Sequence, residues 1–159
     1  MSRRAGHVAR RLGVALKERG WQMGLVETVT GGAVADRLTD VPGSSAYFAG
    51  AVCTPSLDRL AAWLPARGAL HLELFAGECA EWARDALAVD VGVAVVGLPA
   101  DPLGPTSAVA LALAGPGRTV TRSYRPRGGA DAAQDAICRH TLGVIDRFLA
   151  TLEAVPSPP

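Results

Sequence analysis

The chain has 159 residues, 49% hydrophobic and 19% charged, with 18 glycines, a size and balance that fit one well-buried globular domain and exclude a disordered segment. Sixteen basic residues stand against fifteen acidic ones for a formal charge of +1, so no long-range field draws in DNA or an acidic membrane face, and nucleic acid is excluded as the main partner. The cysteines Cys53, Cys79 and Cys138 are odd in number and widely spaced, which suggests neither a disulfide framework nor a zinc site and points to a reducing cytoplasm.

From His7 to Arg19, Val8, Leu12, Ala15 and Leu16 fall on one stripe and predict a helix that Gly20 ends. Its charges recur at helical intervals and leave no apolar core for a secretory signal, and no run in the chain approaches the roughly 18 apolar residues needed to cross a bilayer. "WQMGLVETV" reads as a strand covered on both faces. A helix from Thr30 or Gly31 to Leu38 follows, and Asp40, Pro42 and Gly43 mark a turn. Phe48 to Cys53 predicts a second strand, and Ser56 is placed to cap the helix "LDRLAAWL", which Pro65 stops. From Leu72 to Leu87 a longer helix buries Leu72, Phe75, Cys79 and Trp82 and turns Glu73, Glu81, Arg84 and Asp85 outward.

"VGVAVVG", stopped by Gly97 and the proline-rich "LPADPLGP", predicts a parallel central strand. "TSAVALALA" and "RTVTRSYR" flank Gly115, Pro116 and Gly117 as an antiparallel hairpin. A closing helix from Asp131 to about Leu152 buries Ile137, Leu142, Ile145 and Phe148. Helices alternating with strands, plus one hairpin, indicate a three-layer α/β/α sandwich around a mixed sheet. The expected organisation is one domain over residues 1–153 and a disordered tail at 154–159.

Several residues carry chemistry. Val29-Thr30-Gly31-Gly32 passes from a strand into a helix through small residues, so its amides either receive an anion or a carbonyl oxygen at the positive end of the helix, or serve only a Thr30 cap and tight packing. Glu27, in the strand's last turn, either anchors a ligand or holds neighbouring backbone or the later "PGSS" loop. At "DVPGSS", Asp40, Ser44 and Ser45 either cap a turn or contact a substrate. Gly97 lies at the carboxyl end of a strand, the edge where open sheets bind ligands. His7, His71 and His140 are isolated, which gives neither a metal triad nor a Ser/His pair. Arg122, Arg125 and Arg127 form a small basic run on a strand edge, either solvated or facing a phosphate.

Taken together, these pieces resemble the CinA C-terminal domain family, which includes the nicotinamide-nucleotide amidohydrolases. The family's signature Glu-Ser-Cys-Thr-Gly-Gly corresponds to Glu27-Thr28-Val29-Thr30-Gly31-Gly32, and its second block is nearly intact as "ADRLTDVPGSSAYF". The similarity runs over essentially the whole chain in element order. It implies an α/β fold with a mixed, mostly parallel five-stranded sheet in which one strand runs antiparallel. It also implies metal-free, cofactor-free hydrolysis of the carboxamide of nicotinamide mononucleotide.

The resemblance places Thr28 where the family carries the serine taken as nucleophile, and Thr54 and Arg59 where the family carries a tyrosine and a lysine. It makes Glu27, Thr30, Gly31, Gly32, Gly43, Ser44, Ser45 and Gly97 the expected ligand-binding residues. Threonine is more restricted in its rotamers than serine, and an arginine stays charged and takes no proton. Losing a general base costs on the order of 100- to 10,000-fold in rate. Two functions follow. One is a relative with lost or weakened amidase activity that keeps a pyridine nucleotide or other small phosphate ligand and acts in binding or assembly. The other is a working deamidase in which Thr28 attacks, Thr54 or water relays the proton, and the Thr30-Gly31-Gly32 amides hold the oxyanion. Relatives form dimers or larger assemblies, so a cytoplasmic homo-oligomer without nucleic-acid or membrane partners is expected.

Overall fold

A computed structural model of the chain describes residues 3–64, 71–97, 108–127 and 130–152. The expected stop at Pro65, the expected loop over 98–105, the expected strand start at 106–107 and the expected tail at 154–159 lie outside these residues. The five strands are β1 (Met23–Glu27), β2 (Phe48–Cys53), β3 (Val91–Gly97), β4 (Val109–Gly115) and β5 (Arg118–Tyr124), side by side in the order β2-β1-β3-β4-β5. β1 pairs in parallel with β2 and β3, while β4 runs antiparallel to β3 and β5. Only β4 opposes the others, as the resemblance implies. In the β4–β5 hairpin, Gly115 faces Arg118, so Pro116 and Gly117 alone make the turn; proline presets one φ and Gly117 takes a φ of +79°.

Helices cover both faces, which is why β1, β3 and β4 are buried along their whole length. On one face α1 (Arg3–Arg19), α2 (Ala33–Thr39) and α5 (Ala130–Thr151) lay Leu12, Leu16, Leu38, Ile137, Ile145 and Phe148 on Leu25, Val93, Val95, Leu111 and Leu113. On the other, α3 (Leu57–Trp63) and α4 (Leu72–Ala86) set Leu60, Phe75, Ala76, Cys79 and Ala80 against Val26, Ala94, Ala110, Ala112 and Ala114. Strand alternation therefore sorts side chains by size. Large residues point to the α1–α5 layer, and alanines point to α4. The alanine ladder lets α4 approach closely: a Cβ built on Gly92 would lie 2.0 Å from the carbonyl oxygen of Ala80 and 2.7 Å from the nitrogen of Arg84.

Two helix starts and one buried face differ from expectation. α1 begins at Arg3 rather than His7, because its buried stripe runs through Gly6, Ala9 and Gly13 as well as Leu12 and Leu16, and small residues leave no hydrophobic periodicity to read. α2 begins at Ala33 rather than Thr30 or Gly31, because Gly31 and Gly32 take φ values of +59° and +93°, outside the helical region. In α4, Leu72 and Trp82 are only half-buried, and the buried face runs through Phe75, Ala76, Cys79, Ala80 and Ala83. Half-buried Arg84 donates from Nη1 to the carbonyl of Gly115 at 3.0 Å.

The close α4 approach makes Gly92 a sensitive position. Gly92→Ala is expected to lower the unfolding free energy by about 3 kcal/mol, since the methyl meets backbone that cannot rotate away; a lower urea midpoint at unchanged slope is the readout. Gly117→Ala, where a Cβ meets nothing within 4 Å, is expected to cost about 1–2 kcal/mol through its positive φ alone.

Candidate functional site

β1 leaves the sheet through Thr28, whose amide still donates to the carbonyl of Val95 at 3.0 Å, before the chain turns into α2. Gly32 occupies the position that normally supplies a capping side chain, and it has none to offer. The first amides of a helix have no partner inside it. Glu27 fills that role from one element earlier. Its carboxylate, with no exposed surface, accepts from the amides of Val34 at 3.1 Å and Ala35 at 2.9 Å and from the hydroxyl of Thr30. A buried carboxylate needs donors and a buried helix start needs acceptors, so each group satisfies the other.

Of the roles open to Glu27, the observed one is holding neighbouring backbone, with its bonds going to α2 and none to the "PGSS" loop. Thr30, also fully buried, caps α2 through Glu27 and not directly. Its carbonyl takes the amide of Ala33 at 3.0 Å and the Gln134 side chain of α5 at 2.8 Å, which pins the turn to the neighbouring helix of the same layer.

Thr28 is 7% exposed. Its hydroxyl oxygen accepts from the amide of Gly97 at 3.1 Å, tying the ends of β1 and β3 together. Gly97 is tightly placed: a Cβ there would sit 2.6 Å from Cγ1 of Val29. At the end of β2, Thr54 donates its amide to the Glu27 carbonyl at 3.1 Å, and its buried hydroxyl accepts from the amide of Ser56 at 3.3 Å. Glu27, Thr28, Thr30, Gly31, Gly32, Thr54 and Gly97 thus gather at the carboxyl ends of the three parallel strands. The amides of Gly31 and Gly32 donate to no described residue.

Arg59 stands in the first turn of α3, where its amide donates to the Ser56 hydroxyl at 3.2 Å, so Ser56 is the expected cap. The side chain is exposed and makes no ion pair with a described residue. Gly43, Ser44 and Ser45 lie elsewhere. They lead into the start of β2, where Tyr47 accepts the amide of Met23 through its carbonyl at 2.8 Å, at the amino ends of the strands and roughly 13 Å along β1 from Glu27. Gly43 takes a φ of +75°, and Ser44 donates to the Thr39 carbonyl at 3.4 Å, so both serve the turn.

Cys53 was not among the expected site residues. Its sulfur would lie 3.6 Å from a Cβ on Gly32, and it pairs in register with Glu27. Partial burial first and the Glu27 carboxylate second push the thiol upward, so it stays protonated at neutral pH. The readable signal was that both parallel strands end in a polar pair, Glu27-Thr28 and Cys53-Thr54. Among the described residues no three His, Cys, Asp or Glu side chains gather to hold a metal.

In chemical terms the site offers the Thr28 and Thr54 hydroxyls, each already accepting from a backbone amide, and two open amides, with the exposed Arg59 cation on the helix that follows Thr54. No described group stands within hydrogen-bonding distance to take the Thr28 proton, and Glu27 is engaged by three donors. Glu27→Gln, which turns one acceptor into a donor facing an amide, is expected to lower stability by about 2 kcal/mol. Thr28→Val strips the Gly97 amide of its acceptor and is expected to cost about 1–2 kcal/mol. Chemical denaturation of both variants checks these values.

The CinA C-terminal domain model matches residues 6–149. A CinA-like protein of Citrifermentans bemidjiense is 33% identical over 158 residues, covering 92% of this chain and 38% of the relative. A putative competence-damage inducible protein of Symbiobacterium thermophilum is 34% identical over 159 residues, covering 87% of this chain and 37% of the relative. The chain thus spans less than two-fifths of the length of these curated relatives. A crystal structure of a CinA superfamily protein from Klebsiella pneumoniae superposes with a TM-score of 0.83 at 23% identity, covering 93% of this chain and 99% of that one. The competence damage-inducible protein A from another Klebsiella pneumoniae strain gives a TM-score of 0.84 at 23% identity, covering 94% and 99%. The architecture is therefore that of these structures, and the chain belongs to the CinA C-terminal domain family.

Proposed function

We propose that this domain has lost, or keeps only weakly, the amide hydrolysis of the nicotinamide-nucleotide amidohydrolases, and that it acts as a binding or assembly module for a pyridine nucleotide or other small phosphate ligand. The Thr28 hydroxyl carries this reading. It accepts from Gly97 within the sheet, and no described neighbour accepts its proton. A hydroxyl becomes a competent nucleophile when an adjacent base removes that proton during attack. Arg59 stays charged and is no such base, yet its exposed guanidinium suits a phosphate group. The same reading has the domain assemble as a cytoplasmic homo-oligomer.

The alternative is an active deamidase using Thr28, with Thr54 or a water as relay. The free amides of Gly31 and Gly32 favour it, since preorganised donors are what a developing oxyanion needs. Their use is limited by Glu27, which already occupies the positive end of α2.

Two measurements separate the readings. With nicotinamide mononucleotide, the purified protein is expected to release ammonia no faster than its Thr28→Ala variant; a wild-type rate well above background that the variant abolishes establishes the deamidase. In a thermal-stability screen, the correct nucleotide at about 100 times its Kd is expected to add about 2.7 kcal/mol. No shift with any pyridine nucleotide or inorganic phosphate removes the binding role.

A further inference from the structure

The sheet's last strand has two unlike faces. Thr119 and Ser123 point toward α4, where they meet the carboxylates of Glu81 and Glu73. Arg118, Val120, Arg122 and Tyr124 point the other way, toward α5, by strand alternation. There they border a cleft of about 410 Å³ that also takes in Arg147, His140 and Phe148. No described acidic residue lines it. The α4 carboxylates lie on the other side of the sheet, and among the described residues this face carries three guanidinium groups without a counter-charge.

None of these arginines makes a salt bridge with a described residue. Other surface cations of the molecule do: Arg11 pairs with Asp146, and Arg37 and Arg139 pair with Asp135. Arg118 is nevertheless held in place, its guanidinium 5.3 Å from the centre of the Phe148 ring and hydrogen-bonded to the Thr151 hydroxyl. At the far end Tyr124 and His140 pack ring on ring, with centroids 4.3 Å apart. The Tyr124 hydroxyl is buried beside Thr141 of α5. Like charges set around one cleft without an anion repel one another. Guanidinium groups in such a set match a phosphate through charge-assisted, two-point hydrogen bonds.

We propose that the cleft between β5 and α5 is a second ligand site, distinct from the Thr28 turn, for a small phosphate-bearing molecule held by Arg118, Arg122 and Arg147. The volume lies within the range of small-molecule sites. The Tyr124–His140 end offers ring surface to a planar group carried on the phosphate. This site does not depend on the amidase question, because none of its residues lies at the carboxyl ends of β1, β2 or β3.

The test is calorimetric titration of the full chain with pyrophosphate, inorganic phosphate and adenosine monophosphate at low salt. Pyrophosphate is expected to bind, and Arg122→Gln and Arg147→Gln each to weaken it by about tenfold or more, as the loss of a charge-assisted hydrogen bond does. Both side chains are exposed, so circular dichroism should report unchanged folding. Tighter binding of adenosine monophosphate than of inorganic phosphate assigns the ring end to Tyr124 and His140; equal binding assigns the phosphate group alone. Pyrophosphate should also shift the His140 ring resonances in wild-type protein and not in the double variant. The proposal is overturned by undetectable binding of all three anions, by affinity unchanged in both arginine variants, or by binding that Thr28→Val removes and the arginine variants retain.

Discussion

A carboxylate with no exposed surface at the end of the first strand organises the edge of the sheet where the parallel strands end. Glu27 faces the start of α2 and receives two backbone amides and the Thr30 hydroxyl. Neither party could be buried alone, because an unpaired carboxylate and unpaired helix amides each cost free energy when taken from water. Joined, they let a two-glycine turn carry the chain from strand to helix without a capping side chain. Gln134 of α5, in the same helical layer, fastens the turn from the side. Thr54 brings in the second strand by donating to the Glu27 carbonyl.

This arrangement explains how the chain keeps the family fold while departing from the family signature at particular positions. The chain matches the family signature at Glu27, Thr30, Gly31 and Gly32, which are the positions with conformational duties: a buried acceptor, its hydroxyl donor, and two residues at positive φ. It departs at Thr28 and Val29, and at Thr54 and Arg59 beyond the second strand. Thr28 then acts in the sheet, as acceptor for Gly97. The nearly intact "DVPGSSAYF" block belongs to the opposite end of the strands, where Tyr47 is fully buried beside Gly13 and fixes the entry of β2. Matching sequence therefore tracks the scaffold at both ends of the strands.

Much of the fold was legible because the relevant signals are local. The β-branched run at Val91–Gly97, the Pro116-Gly117 turn and the Ser56 cap each state their structure within a few residues, and each is found as expected. What was not legible depends on partners distant in sequence or on residues too small to register. The start of α1 was hidden by Gly6 and Ala9, and the buried face of α4 by its alanines opposite Ala110, Ala112 and Ala114. Glu27 read equally well as ligand anchor or as brace, since its donors at Val34 and Ala35 depend on how the Gly31-Gly32 turn closes. The sequence put Gly43, Ser44 and Ser45 with the site residues because the family block adjoins the signature, yet the intervening helix α2 carries the chain to the other end of the sheet. The run Arg122, Arg125 and Arg127 read either as a solvated edge or as one facing a phosphate, and it is α5 that supplies the wall opposite Arg122, with Arg147 and His140.

The account rests on Glu27 being a structural acceptor for α2, and hydrogen exchange tests that directly. The amides of Val34 and Ala35 are predicted to exchange only with global unfolding, at rates close to those of the buried strand β3, while the open amide of Gly31 exchanges rapidly. Exchange of Val34 and Ala35 as fast as that of Gly31 would show that the carboxylate does not hold them and would contradict the account.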